Sequence, residues 1–169
     1  MILDLILLRH GIAEDVSSDN LDSSRKLTEK GKKKLRDNLP VLIPFIDSGH
    51  PIEVWTSPLT RAKETADILM PLIKSAELVI CDFVAHGDFQ SFWAALDKLE
   101  DNKKHTIIIV GHEPYLGNWS SELCGLRLPF RKGAAAGIKL NTRDAVDCEL
   151  KWFLQPNEMN LLLKSNKSK

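Results

Sequence analysis

Hydrophobic positions along the chain fall into two alternating patterns: short, nearly continuous apolar runs, and longer segments in which apolar residues return every three or four positions. Leu3 to Leu8 is the first run and is expected to form a buried strand. Thr28 can cap a helix from about Glu29, with Leu35, Leu39, Leu42 and Ile46 on one stripe and Pro40 and Pro44 set to kink or break it. Ile52 to Trp55 is a second strand, after which Ser57 and Pro58 supply an N-cap and a first-turn proline for a helix reaching about Ile73. Leu78 to Ile80 is a third strand, and Gly87 and Asp88 precede a helix from Phe89 to Leu99. Thr106 to Val110 is the fourth strand, followed by a helix from Pro114 to near Gly125. Ala134 to Leu140 and Cys148 to Leu154 read as two strands joined by a turn at Asn141 to Asp144, and a short helix closes the pattern from Glu158 to Lys164.

Strands alternating with helices over the first two thirds imply βαβ units. The fold class is therefore α/β, a three-layer sandwich with a largely parallel central sheet flanked by helices and an antiparallel pair at one edge. The polar stretch from Glu14 to Ser24 has no period and is long for a connection, a length often associated with function. Residues 1–169 fit one domain with ample apolar content, 43%, and a basic tail occupies about 165–169.

Charge narrows the function classes. The 23 basic and 23 acidic residues cancel, so no global field points to nucleic acid or an anionic membrane. Local charge is less even: Lys30, Lys32, Lys33, Lys34 and Arg36 form one cluster and Lys164 to Lys169 another. Each is either a solvated face or a surface for an acidic partner protein. Cys81, Cys124 and Cys148 are few and odd in number, which argues against a disulfide framework and fits a reducing compartment, the cytoplasm by default. The first apolar run carries Asp4 and has no basic segment before it, so it is expected to be a strand rather than a signal peptide, and no stretch has the length of a membrane span.

Two of the predicted strands end in the same way. Leu8-Arg9-His10-Gly11 follows the first, and Val110-Gly111-His112-Glu113-Pro114 follows the fourth. Ligands of open parallel sheets collect at the carboxyl ends of the strands, where Arg61, in the first turn of the second helix, is also expected. Arg9 and Arg61 bring planar forks that match phosphate oxygens, and His10 and His112 add imidazoles, so the four can surround a phosphoryl group without a metal. Neighbouring guanidiniums disfavour protonation of His10, which keeps it available as a nucleophile near neutral pH.

With these motifs the chain resembles the histidine phosphatase superfamily (phosphoglycerate mutase-like), and within it the short phosphohistidine phosphatases of the SixA type. The resemblance rests on Leu8-Arg9-His10-Gly11 with Ala13-Glu14, Arg25-Lys26-Leu27-Thr28-Glu29-Lys30-Gly31, Thr56-Ser57-Pro58-Leu59-Thr60-Arg61-Ala62 with Glu64-Thr65-Ala66, and Val110-Gly111-His112-Glu113-Pro114. It implies His10 as the residue that takes the phosphoryl group, Arg9, Arg61 and His112 as the groups that hold its oxygens, and a backbone carbonyl that fixes the His10 tautomer. Gly11 permits a tight turn after His10. Arg25 either reaches the phosphate or substrate from its loop or anchors that loop. Asp82 and Asp88, with His86 between them, are the candidates for a general acid near the third strand.

The activity implied is hydrolysis of phosphohistidine through a covalent phosphohistidine enzyme, with no cofactor and no metal. Its substrate would be a phosphohistidine-bearing phosphotransfer protein or a small phosphorylated molecule, with no nucleic acid or membrane partner. The alternatives are a small-molecule phosphomonoesterase of the same superfamily and a non-catalytic module that binds phosphoproteins. A metal hydrolase using His10, His86 and His112 with Asp82 or Asp88 lacks a close His-Glu-x-x-His ligand pair. No cysteine has an arginine six residues on, and neither the P-loop nor the Gly-x-Gly-x-x-Gly pattern occurs.

Overall fold

The computed structural model describes residues 3–16, 21–99, 103–141 and 147–166. A six-stranded sheet forms its centre, built from β1 (Leu3–Arg9), β2 (Ile52–Thr56), β3 (Ala76–Ile80), β4 (His105–Gly111), β5 (Ala135–Leu140) and β6 (Cys148–Leu154). The spatial order is β3-β2-β4-β1-β5-β6. The first four of these are mutually parallel, and β5 and β6 run antiparallel at one edge. The helices are α1 (Glu29–Asn38), α2 (Thr60–Leu69), α3 (Asp82–His86), α4 (Phe89–Leu96), α5 (Tyr115–Cys124) and α6 (Pro156–Asn166).

The period of two along the central strands divides the core into two layers. Leu3, Leu5 and Leu7 of β1, with Ile107 and Ile109 of β4, pack with Phe92, Leu96, Leu116, Trp119 and Leu123 of α4 and α5. Ile6 and Leu8, with Ile108 and Val110, face the other way onto Leu35, Ala62, Ala66, Leu69 and Met159 of α1, α2 and α6. Burial on both faces is why these strands are nearly continuous apolar runs rather than alternating ones. Asp4, a polar residue within the apolar run of β1, lies where its carboxylate meets Lys104 Nζ at 2.8 Å.

Register carries the layout through to the site. Leu3 pairs with His105 and each following residue pairs in step until Arg9 meets Gly111, so the next residues, His10 and His112, leave the sheet side by side. Thr56 of β2 pairs with Val110 on the other flank of β4. Three adjacent strands therefore deliver Ser57, His112 and His10 to one end of the sheet.

Several element boundaries differ from the sequence expectation. α1 stops at Asn38 and a 3-10 segment, Leu39–Phe45, takes over with Pro40 near its start and Pro44 inside it, which is the break that the prolines imposed. α2 begins at Thr60 with Leu59 at its cap, because the Ser57 hydroxyl accepts from Leu59 N at 3.2 Å and meets His112 instead of capping the helix. α3 was not anticipated: Asp82 opens a helix of five residues that ends at Gly87, whose φ is +69°. α4 ends at Leu96, and α6 extends from Pro156 to Asn166. Most of the expected turn at Asn141 to Asp144, part of the Glu14 to Ser24 loop and the end of the basic tail lie outside the described residues. Among the described residues no helix is long and apolar enough to cross a membrane, and Cys81, Cys124 and Cys148 are free thiols.

Gly31 shows why the second motif ends in glycine. Thr28, the N-cap of α1, accepts from Gly31 N at 3.0 Å and donates its own backbone N–H to Ile12 O at 2.9 Å. This draws the helix onto the loop after β1, so that a Cβ at Gly31 would lie 2.1 Å from Ile12 O. Gly31→Ala is expected to destabilise the protein by about 1–3 kcal/mol through overpacking, read as a lower urea midpoint at unchanged m-value.

Candidate active site

His10 is almost fully buried, with 4% of its surface exposed, and its Nδ1 lies 2.7 Å from Gly11 O. A carbonyl can only accept, so Nδ1 carries the proton and Nε2 of the neutral ring keeps its lone pair. Gly11 N in turn donates to Thr65 Oγ1 at 3.1 Å, and Thr65 donates to Arg61 O at 2.7 Å. α2 thus anchors the turn after His10 through a side chain one helical turn beyond Arg61.

His112, equally buried, stands with its ring centroid 5.1 Å from that of His10 at an interplanar angle of 53°. Its Nε2 meets Ser57 Oγ at 2.8 Å. Ser57 also accepts from Leu59 N; with the hydroxyl proton directed at Nε2, the His112 proton sits on Nδ1. That Nδ1 is buried without a partner, as is Nε of Arg9. Unpaired buried polar groups cost about 1–3 kcal/mol each, and here both belong to residues at one spot where an oxyanion would satisfy them.

Arg9, the last residue of β1, donates from Nη1 to Phe130 O at 2.7 Å. Burial holds its pKa below the usual arginine value, opposed by the carboxylate of Glu113. Arg61, 7% exposed, donates from Nη1 to Asp22 O at 2.7 Å and from Nη2 to the Asp22 carboxylate at 3.1 Å. His10 is pushed down to about 3, first by burial and then by the neighbouring charges of His112, Arg61 and Arg9, against the hydrogen bond to Gly11. His112 is pushed down to about 4, chiefly by burial and then by Arg61. Both imidazoles are therefore neutral at physiological pH.

The structure brings His10, His112, Arg9 and Arg61 together, with Gly11 supplying the carbonyl. Arg25 is placed in the loop: Nε donates to Glu14 O at 2.6 Å and Nη1 to Asp22 Oδ1 at 2.7 Å. Of its two expected roles, these contacts are those of an anchor. Asp88 caps α4, its carboxylate taking both the backbone N–H and the hydroxyl of Ser91, so its oxygens are engaged away from the histidines. Asp82 is exposed in the first turn of α3, and His86 is exposed at the end of that helix. Among the described residues no group of three His, Cys, Asp or Glu side chains is arranged to hold a metal ion.

Sequence reasoning missed three contributors: Ser57 as the partner of His112, Thr65 as the tie on Gly11, and Asp22 on Arg61. Ser57 carried a signal, since a polar residue directly after a central strand stands beside whatever follows its neighbours. Asp22 had only its spacing of three residues from Arg25. It is the anion already on the Arg61 fork, and the hydrogen bond from Arg25, followed by the charge of Arg61, holds its carboxyl below the usual range.

The fold and this cluster define a phosphoglycerate mutase-like protein. No family model matches the chain. It is 32% identical to an uncharacterised protein of Picosynechococcus sp. over 149 residues, 81% of this chain and 85% of that protein. Among solved structures it is similar to the protein histidine phosphatase SixA complexed with tungstate, with TM-score 0.75 and 25% identity over 92% of this chain and 99% of that one. It is also similar to a phosphoserine phosphatase of Entamoeba histolytica, with TM-score 0.68 and 14% identity over 92% and 98% of the two chains. A phosphoglycerate mutase of Plasmodium falciparum superposes with TM-score 0.64 and 17% identity over 90% of each chain. The chain has the fold shared by these phosphatases and the mutase.

Two outcomes follow from this geometry. The folded-state pKa values of both histidines lie below the unfolded value of about 6.5, so the unfolded chain binds more protons as pH falls through that window. Their contribution is intact above pH 6.5 and is lost progressively toward pH 4, a range above that in which the lowered carboxyls of Asp22, Asp47 and Asp88 take up protons. Urea unfolding at pH 7 and pH 5 is expected to show a smaller loss in His10→Asn than in the wild type. Separately, a phosphoryl group approaching His10 competes with Asp22 for Arg61. Asp22→Asn is expected to tighten binding of inorganic phosphate, measured by calorimetry, by up to about fivefold, the worth of an exposed ion pair.

Proposed function

We propose that the protein is a phosphohistidine phosphatase working through a covalent phosphohistidine at His10. The observation that carries this reading is the locked His10 ring: with Nδ1–H on Gly11 O, Nε2 is an unprotonated nucleophile next to two guanidiniums and a second neutral imidazole. Nε2 attacks phosphorus, the new N–P bond forms as the bond to the leaving group breaks, and the charge on the phosphoryl oxygens is met by Arg9, Arg61 and His112 Nδ1–H. Water then attacks the phosphoenzyme, releasing inorganic phosphate and restoring neutral His10. Tungstate, held by the SixA relative, is a tetrahedral oxyanion of the kind such a cluster accommodates.

The choice of a phosphoramidate over a phosphate ester rests on the acids present. A sugar alkoxide needs a proton donor as it leaves, whereas an imidazole nitrogen accepts a proton far more readily. The candidate carboxyls are poorly suited to donate: Asp22 is held ionised between two arginines, Glu113 lies by Arg9 and accepts from Phe130 N at 3.2 Å, Asp88 is a helix cap, and Asp82 is open to solvent. We place the enzyme in the cytoplasm, acting without a metal or other cofactor on a phosphohistidine-bearing protein.

A panel of phosphoramidate, phosphohistidine and several sugar phosphates is expected to show turnover of the first two, unaffected by EDTA, with acid-labile label on His10. His10→Ala is expected to abolish it, and near wild-type turnover in that variant would end the assignment. Arg61→Ala is expected to cost on the order of 2–4 kcal/mol in the chemical step, as for removal of one preorganised oxyanion donor. Preference for sugar phosphates would shift the reading to a phosphomonoesterase, and label retained without turnover to a binding module.

A further inference from the structure

The protein has no net charge, yet its cations are unevenly placed. Between α1 and α6 runs an open groove in two connected parts, of about 290 Å³ and 810 Å³. Lys30, Lys33, Lys34 and Arg36 of α1, Arg131 and Lys132 of the segment before β5 and Lys164 of α6 line it, and Asp37 is the one acidic residue of its lining. Asp37 is taken by Lys33. Lys30, Lys34, Arg36, Arg131 and Lys132 have no ion pair with a described carboxylate.

One end of the groove borders the turn that follows His10. Gly11 and Gly133 form part of its floor, and Gly133 N lies within hydrogen-bond distance of both Arg9 O (3.1 Å) and His10 O (3.0 Å). Its floor thus backs the turn that holds the nucleophile. Leu35 and Pro156 add apolar surface, while every α1 cation on the rim is exposed. An apolar floor under an exposed cationic rim suits a polypeptide with acidic side chains better than a small anion, which needs converging buried donors.

We propose that this groove docks an acidic protein surface flanking the phosphohistidine of the substrate. The inference rests on the reading of His10 as phosphoryl acceptor and names the partner of that site. Charges on such a rim act mainly on encounter and on salt dependence rather than on the chemical step.

The probe is a pair of histidine peptides identical in core and flanked by glutamate or by glutamine, phosphorylated with phosphoramidate. The glutamate peptide is expected to have a kcat/KM about tenfold higher, through KM, and to lose that advantage in 0.5 M salt. It should also lose it in the K33E/K34E/K132E variant, while turnover of phosphoramidate itself is unchanged. A K33Q/K34Q/K132Q variant, whose fold is checked by circular dichroism, should fall between. Equal kcat/KM for the two peptides, or a charge-reversed variant that keeps the preference, overturns the proposal. Fluorescence anisotropy with the unphosphorylated glutamate peptide reads docking without catalysis. Binding lost in the variant, in a protein that turns over no phosphoramidate, would uphold the groove and remove the phosphatase reading. Stronger displacement by a single-stranded oligonucleotide than by the glutamate peptide would replace the acidic protein with a nucleic acid.

Discussion

The in-step parallel pairing of β1 with β4 is the constraint on which the site depends. Because Arg9 meets Gly111 at the last rung of the ladder, the two histidines leave the sheet together and their rings come within 5.1 Å. A slip of one residue would move Leu5 and Leu7 to the layer built for Ile6 and Leu8 and reverse every contact of a strand buried on both sides. The hydrophobic core therefore enforces the catalytic geometry: the energy that resists the slip comes from apolar side chains that never approach the phosphoryl group.

Burial and charge then act in the same direction on both imidazoles. Desolvation leads in lowering their pKa values, and the guanidiniums reinforce it. The cost is a pair of buried histidines that cannot take a proton without loss of stability, together with an unpartnered Arg9 Nε and His112 Nδ1. Such local departures from full hydrogen bonding gather where a ligand is meant to supply the missing partner. His105, at the opposite end of β4, is also buried with both ring nitrogens unpaired, and nothing in the structure explains it.

Much of this was legible in the chain because the informative residues are tied to the strands by sequence distance alone. A histidine one residue past an apolar run must lie at a strand end, whatever the rest of the fold does. The same holds for the break in α1 at Pro40 and Pro44, which lack the backbone donor that a helix interior needs. What escaped depended on contacts between distant segments. Ser57 looked like a cap because caps are local, whereas its hydroxyl is oriented by a residue 55 positions away. The helix opened by Asp82 escaped because the five residues of α3 are too few to display a helical period. Arg25 and Asp22 belong to a loop whose course follows from pairing with Arg61 and Glu14, information that no local pattern contains.

The similarity to a SixA phosphatase, a phosphoserine phosphatase and a phosphoglycerate mutase at 14–25% identity has the same physical root. Any large apolar residues of the right period satisfy the two-layer core, so the fold tolerates wide divergence while the strand ends keep their places. Substrate choice cannot then reside in the sheet. It must come from what surrounds the strand ends: the Asp22 turn on the Arg61 fork, the segment that carries Asp82 and Asp88, and the cationic groove between α1 and α6. These are segments the core does not constrain, and they are where this chain has room to differ from its structural relatives.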